Sequence, residues 1–111
     1  MGQYTYVAFI CPTPGREQEF DHWYDTVHMP DVARMPGVVS ARRFNIERIK
    51  TKDWEPPAWR SMAIYELETD DPEITLAAIR EASGTEIMPL SDAMTKDGML
   101  TIVGRPTASI G

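Results

Sequence analysis

The segment Tyr4–Cys11 (YTYVAFIC) constrains this chain most, because both of its alternate faces are apolar. Tyr4, Tyr6, Ala8 and Ile10 fall on one side, and Thr5, Val7, Phe9 and Cys11 on the other. Aromatic and β-branched residues fit a pleated strand, and Pro12, Pro14 and Gly15 then stop it in a turn. A strand that is apolar on both sides sits inside a sheet with both faces covered. The rest of the fold must supply those covers.

The segments that follow show how. Over Arg16–His28, Phe20, Tyr24 and Val27 recur at i, i+4 and i+7, with Trp23 one position off the stripe, which predicts an amphipathic helix. Pro30 is expected to end or kink it, leaving Asp31–Met35 as an irregular last turn before Pro36-Gly37. Val38–Ile49 alternates as a second strand, Lys50–Arg60 reads as a long hairpin loop, and Ser61–Glu68 reads as a third strand. Asp71-Pro72 is a helix start, an N-cap acceptor followed by proline, and that helix runs to Ser83-Gly84. Thr85–Asp97 is expected to be irregular, Met99–Val103 a last strand, and Arg105–Gly111 a tail or an arm reaching a partner. The order strand, helix, strand, strand, helix, strand is the ferredoxin-like βαββαβ plan of an α+β fold. Four antiparallel strands then carry two helices on one face. The opposite face is too apolar to stay wet, so a second copy of the chain is expected to cover it as a homodimer.

With 111 residues, 42% hydrophobic and 25% charged, the chain fits one globular domain over residues 1–111. Its net charge of −6, from 11 Lys+Arg and 17 Asp+Glu, argues against nucleic acid and against a polybasic membrane anchor. No apolar run approaches the roughly 20 residues of a membrane span, and Met1–Tyr6 does not open like a secretory signal, so the cytoplasm is the expected location. Cys11 is the single cysteine, which leaves no internal disulfide and no cysteine cluster. His22 and His28 lie six residues apart, about 240° round a helix, so they cannot form an i, i+4 metal pair. No metal, flavin or haem is expected, and there is neither a Gly-rich phosphate loop nor a Gly-x-Ser-x-Gly elbow.

The run Phe20-Asp21-His22-Trp23-Tyr24-Asp25-Thr26-Val27-His28-Met29-Pro30-Asp31 carries a resemblance, together with Met35-Pro36-Gly37-Val38 and Ser40-Ala41-Arg42-Arg43-Phe44. It resembles the EthD-like group of the dimeric α+β barrel superfamily, and the later Asp71-Pro72 and Pro89-Leu90-Ser91-Asp92 agree in layout. Members of that superfamily include monooxygenases, polyketide cyclases, dehydratases and isomerases, so the resemblance implies a fold and not one reaction.

Within that frame His28 is the leading candidate for general acid–base work, since imidazole titrates near neutral pH. At a helix end its pKa is expected to rise; the plain alternative is that it caps the carbonyls Pro30 leaves free. Arg42 and Arg43 must point to opposite sheet faces. One would face a dimer-side cavity and bind an anionic or carbonyl oxygen, unless it is spent in an ion pair with Asp25, Asp31 or Glu66. Asp31 would either orient His28 or cap the turn after Pro30. Trp23 and Tyr24 are core anchors, with the Tyr24, Tyr6 and Tyr65 hydroxyls available to an oxyanion. Trp54 and Trp59, in the hairpin loop, would close a pocket over a hydrophobic ligand or contact a second copy. The expected function is a cofactor-independent enzyme that moves a proton on a small hydrophobic oxygenated molecule by dehydration, cyclisation or isomerisation. A cofactor-independent monooxygenase is one alternative. A non-catalytic binder, or an auxiliary protein of an oxygenase system, is the other.

Overall fold

Four strands, β1 (Gly2–Pro12), β2 (Val38–Asn45), β3 (Ser61–Thr69) and β4 (Met94–Gly104), form one antiparallel sheet in the order β2-β3-β1-β4. The computed structural model describes residues 2–111; Met1, the first residue of the expected domain, lies outside them. Strand β1 is central, as its two apolar faces require, pairing with β3 from Gly2↔Thr69 to Ile10↔Ser61 and with β4 from Thr5↔Gly104. The helical segments lie in the order the sequence predicts, and the ferredoxin-like arrangement is present.

The first helical stretch is built in three pieces: α1 (Glu17–Trp23), a π-helical turn (Tyr24–His28) and α2 (Met29–Ala33). Of the two outcomes expected at Pro30, the helix does not end there, and residues 31–33, expected to be irregular, are helical. The missing N–H of Pro30 falls immediately after the π turn, where Met29 N–H already reaches back five residues to the Tyr24 carbonyl. The ladder loosens by one residue, the ring is accommodated, and the helix continues to Ala33. Helix α3 (Pro72–Ala82) starts as the sequence predicts, with the Asp71 carboxylate accepting from Glu73 N–H at 3.0 Å.

The core lies between these helices and the inner sheet face. Phe20, Tyr24 and Val32 pack there against Ile10, Ala63, Tyr65 and Leu67, all buried. The outer face carries no helix. Phe44, Leu100 and Ile102 stand 38%, 40% and 48% exposed on it, beside half-buried Val7, Met62 and Ile64.

The strand boundaries differ from the sequence reading, most at β1, β2 and β4. Strand β2 stops at Asn45, because its partner β3 begins opposite it at Ser61 and offers nothing further to pair with beyond one bond from Ile46 N–H to Arg60 O. Strand β1 extends to Gly2 and Pro12, carried by pairing that a strand propensity does not show. Strand β4 begins at Met94 inside the segment read as irregular. Its start pairs through Cys11↔Thr95, and a bulge then shifts the register before Phe9↔Leu100. The expected tail, residues 105–111, is exposed and has no regular structure.

The turn into β2 is held by Gly37, whose φ of +88° favours glycine and whose added Cβ would sit 2.7 Å from Thr75 Oγ1. That hydroxyl cannot yield easily, since Thr75 is fully buried and donates to Pro36 O at 2.6 Å. Gly37→Ala is therefore expected to destabilise the protein by about 2 kcal/mol, the cost of a strained backbone together with a displaced buried hydrogen bond. A thermal melt should show Tm falling by about 10 °C, and an unchanged Tm would refute this account of the turn.

Candidate functional site

A cavity of about 380 Å³ opens between the inner sheet face and the helices of a single chain. The sequence reading placed the cavity toward a second copy; the structure places it on the helix side. The inward residues of β1 (Tyr6, Ala8, Ile10) form its floor with Tyr65 of β3, and the π turn and α2 add Tyr24, His28 and Val32. The last turn of α3 adds Ile79 and Arg80, its C-cap adds Ser83, and β4 adds Met94, Lys96, Met99 and Thr101. The lining is mainly apolar with a few convergent polar groups, as small-molecule sites generally are.

His28 enters this cavity because of the π turn. A regular α stripe through Phe20 and Tyr24 brings Val27 inward at i+7, but the extra residue of the π turn brings His28 inward instead. His28 is 8% exposed while Val27 is only half-buried. Its ring stacks on Trp23 at 4.8 Å and 24°, and meets the Tyr24 ring edge-on at 4.9 Å. Far from being raised at a helix end, its pKa is pushed down to about 4 by burial, against the opposing pull of the Asp31 charge. The imidazole is neutral at pH 7. Its Nδ1 is buried without a hydrogen-bond partner, and so is Oδ2 of Asp31 on the next turn. No hydrogen bond joins the two residues. Asp31 Oδ1 is instead ion-paired with Arg34.

Across the cavity floor the Tyr24 and Tyr65 hydroxyls lie 3.2 Å apart, and Tyr6 stacks on Tyr65 at 5.7 Å. Burial pushes the Tyr24 hydroxyl up to about 12, with the Tyr65 hydrogen bond opposing, and pushes Tyr65 and Tyr6 up as well. All three stay protonated at neutral pH. They are neutral hydroxyls in an apolar wall, with one proton of the Tyr24–Tyr65 pair donated within the pair.

The remaining candidates lie elsewhere. Arg43 is on the inner sheet face but is spent in an ion pair, its Nε 2.5 Å from Asp25 Oδ1 and its Nη2 3.5 Å from Asp21. It also lies 5.5 Å over the Tyr24 ring, so it braces a cavity residue without lining the cavity. Arg42 points to the outer face, 5.4 Å over the Phe44 ring. Trp54 and Trp59 do not close the cavity. The loop carries them across the outer face, where Trp59 packs on Phe9 at 5.3 Å and donates from Nε1 to Gly98 O at 2.6 Å. Trp23 supports His28 without lining the cavity. Arg80, Ser83 and Lys96 are cavity residues that the sequence reading passed over. Arg80 looks like one exposed position of an amphipathic helix, and Lys96 lies in the segment read as irregular. No group of three or more His, Cys, Asp or Glu is placed to hold a metal ion among the described residues.

Three solved structures share this fold. An ethyl tert-butyl ether D (EthD) family protein from Bacillus halodurans C-125 is 21% identical, with TM-score 0.57 over 95% of this chain and 99% of that one. A candidate monooxygenase from Shewanella loihica PV-4 is 14% identical, with TM-score 0.56 over 97% of each chain. A DABB family protein with a ferredoxin-like fold from Mesorhizobium loti is 12% identical, with TM-score 0.53 over 97% of this chain and 100% of that one. No protein-family model and no curated protein matches the sequence. The fold is thus the EthD-like, ferredoxin-like one that the sequence resembles.

The state of His28 has a consequence for stability. Unfolded, the imidazole takes up a proton near pH 6.5; folded, it does so only near pH 4. Between those values the unfolded state binds more protons, so stability is present above pH 6.5 and is lost as pH falls toward 4. Denaturant melts at pH 7 and pH 4.5 should differ by about 2–3 kcal/mol more in the native protein than in His28→Phe. Equal differences in the two proteins would show that His28 is not held neutral by burial.

Proposed function

We propose that the cavity is the active site of an enzyme that needs no cofactor and moves a proton on a small, largely apolar, oxygenated substrate. The observation that carries this reading is a neutral, buried imidazole with an unpartnered nitrogen, sharing a cavity with a fixed pair of tyrosine hydroxyls. A buried polar nitrogen left without a partner costs about 1–3 kcal/mol, a cost that a bound ligand group would relieve. His28 would accept a proton from carbon beside a substrate carbonyl. The oxygen of the resulting enolate would be held by the Tyr24–Tyr65 pair: one hydroxyl donates to the other at rest, and the proton not spent between them is free to meet the developing negative charge. The imidazolium, disfavoured by burial, returns its proton. Return to another carbon is isomerisation; return to a departing hydroxyl is dehydration; attack of the enolate carbon on a second carbonyl is cyclisation. Asp31, whose charge favours the imidazolium, would steady that intermediate state from behind. Arg43 would act through Tyr24, holding its ring in place.

A second reading is a cofactor-independent monooxygenase that binds a phenolic substrate in the same cavity, with His28 taking the phenol proton. It is favoured by the name of the Shewanella loihica neighbour, and stoichiometric oxygen uptake would identify it.

The outer sheet face completes the proposal. Its exposed Phe44, Leu100 and Ile102 would be covered by a second copy of the chain, a symmetric pairing that needs no other partner. Light scattering at micromolar concentration should report twice the 12.6 kDa chain mass. A stable monomer there would refute the dimer.

Proton transfer is testable without knowing the natural substrate. In D₂O the native protein should catalyse deuterium exchange at the α-carbon of 2-tetralone, a bicyclic ketone. His28→Phe keeps a ring against Trp23 and should lower the exchange rate by about two to four orders of magnitude, the usual worth of one acid–base group. Tyr65→Phe should lower it by about tenfold or more, the worth of one donor to a developing oxyanion. Exchange by native protein and His28→Phe at equal rates would refute the catalytic role. Loss of ketone affinity alone in the variant would make the protein a non-catalytic binder.

A further inference from the structure

We propose that the molecule taken by this cavity is an anion, an apolar body bearing a carboxylate that Arg80 and Lys96 hold at the cavity rim. This rests on reading the cavity as the substrate site and adds the chemical class of the substrate. The chain as a whole has more acids than bases, 17 Asp+Glu against 11 Lys+Arg. The cavity inverts that balance, for Arg80 and Lys96 line it and no aspartate or glutamate does.

Both cations are without an ion-pair partner among the described residues. The reason is visible in their positions. Helical neighbours stand three and four residues away, and for Arg80 these are Leu76, Ala77, Ser83 and Gly84, none of them acidic. Lys96 lies in the β4 bulge, between the Cys11↔Thr95 and Phe9↔Leu100 pairs, where the strand has no opposite residue in the ladder. Bulges re-aim side chains, and this one turns Lys96 toward the cavity. Arg80 in the last turn of α3 also complements the helix dipole, but the dipole does not account for the missing acids or for Lys96.

The two cations and the proton-transfer groups come from different elements. Arg80 and Lys96 are supplied by the end of α3 and the start of β4, and His28, Tyr24 and Tyr65 by the π turn and β3. Ile79, Leu90 and Met94 supply the apolar wall. A carboxylate gripped by charge-assisted hydrogen bonds at the rim would set the direction in which the apolar body enters, and so fix which carbon lies against His28. The cations stay solvated until the ligand arrives, so they do not need a permanent acidic partner.

The test compares two probes of equal shape, 2-naphthoate and 2-naphthamide, by titration calorimetry, with the His28 ring resonances reporting whether binding is in the cavity. The native protein should bind the carboxylate about tenfold more tightly than the amide, a preference that shrinks as salt is raised. The double variant Arg80→Gln/Lys96→Gln should bind the two about equally, with the amide affinity as in the native protein. Equal affinities in the native protein would overturn the proposal, and so would a carboxylate preference that survives both substitutions. Binding that leaves the His28 resonances unmoved, or no binding of either probe, overturns it as well. Deuterium exchange on the uncharged 2-tetralone by the native protein reads the proton-transfer function separately, so failure of one is distinguishable from failure of the other.

Discussion

A proline within a helix needs a break in the hydrogen-bond ladder, and here the break is the π turn Tyr24–His28 that precedes Pro30. The rest of the site follows from it. One extra residue in the turn advances the helical phase, so that His28 rather than Val27 faces the sheet. The same turn keeps Tyr24 inward, against Tyr65. Had the helix simply stopped at Pro30, His28 would have been an exposed end residue with an ordinary pKa. Because the helix continues to Ala33, His28 is covered by Trp23 and Tyr24 and stays neutral.

Charge is distributed around that turn in layers. On the side near β2, Asp21 and Asp25 tie the first helix to the sheet edge through Arg43 and Arg60, with Arg60 Nη2 2.6 Å from Asp21 Oδ2. These groups are consumed by one another. They anchor the helix and brace the Tyr24 ring rather than meet a ligand. On the opposite side, at the end of α3 and the start of β4, Arg80 and Lys96 have no such partners among the described residues. An acidic protein thus keeps two free positive charges where its cavity opens. The interior between these two ends is neutral, with an uncharged imidazole and protonated tyrosines. Such a cavity suits an apolar molecule with one charged end.

Much of this was legible in the sequence. The apolar alternation of Tyr4–Cys11 required a central strand, the Asp71-Pro72 pair marked a helix start, and the order of the elements led to the ferredoxin-like plan. The strand period also separated Arg42 from Arg43. It did not say which of the two faces the helices, because that depends on the register of β2 against β3. The pairing Arg43↔Ala63, with Ala63 fully buried, decides it. Strand ends were misjudged where a partner strand, not local propensity, sets the length, as at Asn45 and Met94. Whether Trp54 and Trp59 close a pocket or contact a second copy stayed open in the sequence, because a loop with two prolines carries no periodicity from which to read its path.

The sequence by itself therefore determined the elements, their order and the chemistry available. Those properties follow from periodicity, breakers and residue type, all of which act over a few neighbouring positions. Only the tertiary structure decided how that chemistry is used. A π turn of five residues reversed the expected shift of His28, from a pKa raised at a helix end to one lowered by burial. Register sent Arg43 to the acids of the first helix. A bulge in β4 brought Lys96 to the same cavity as Arg80, 16 positions earlier in the chain. Burial and pairing are set by segments far apart in sequence, and no local pattern records which of them will meet.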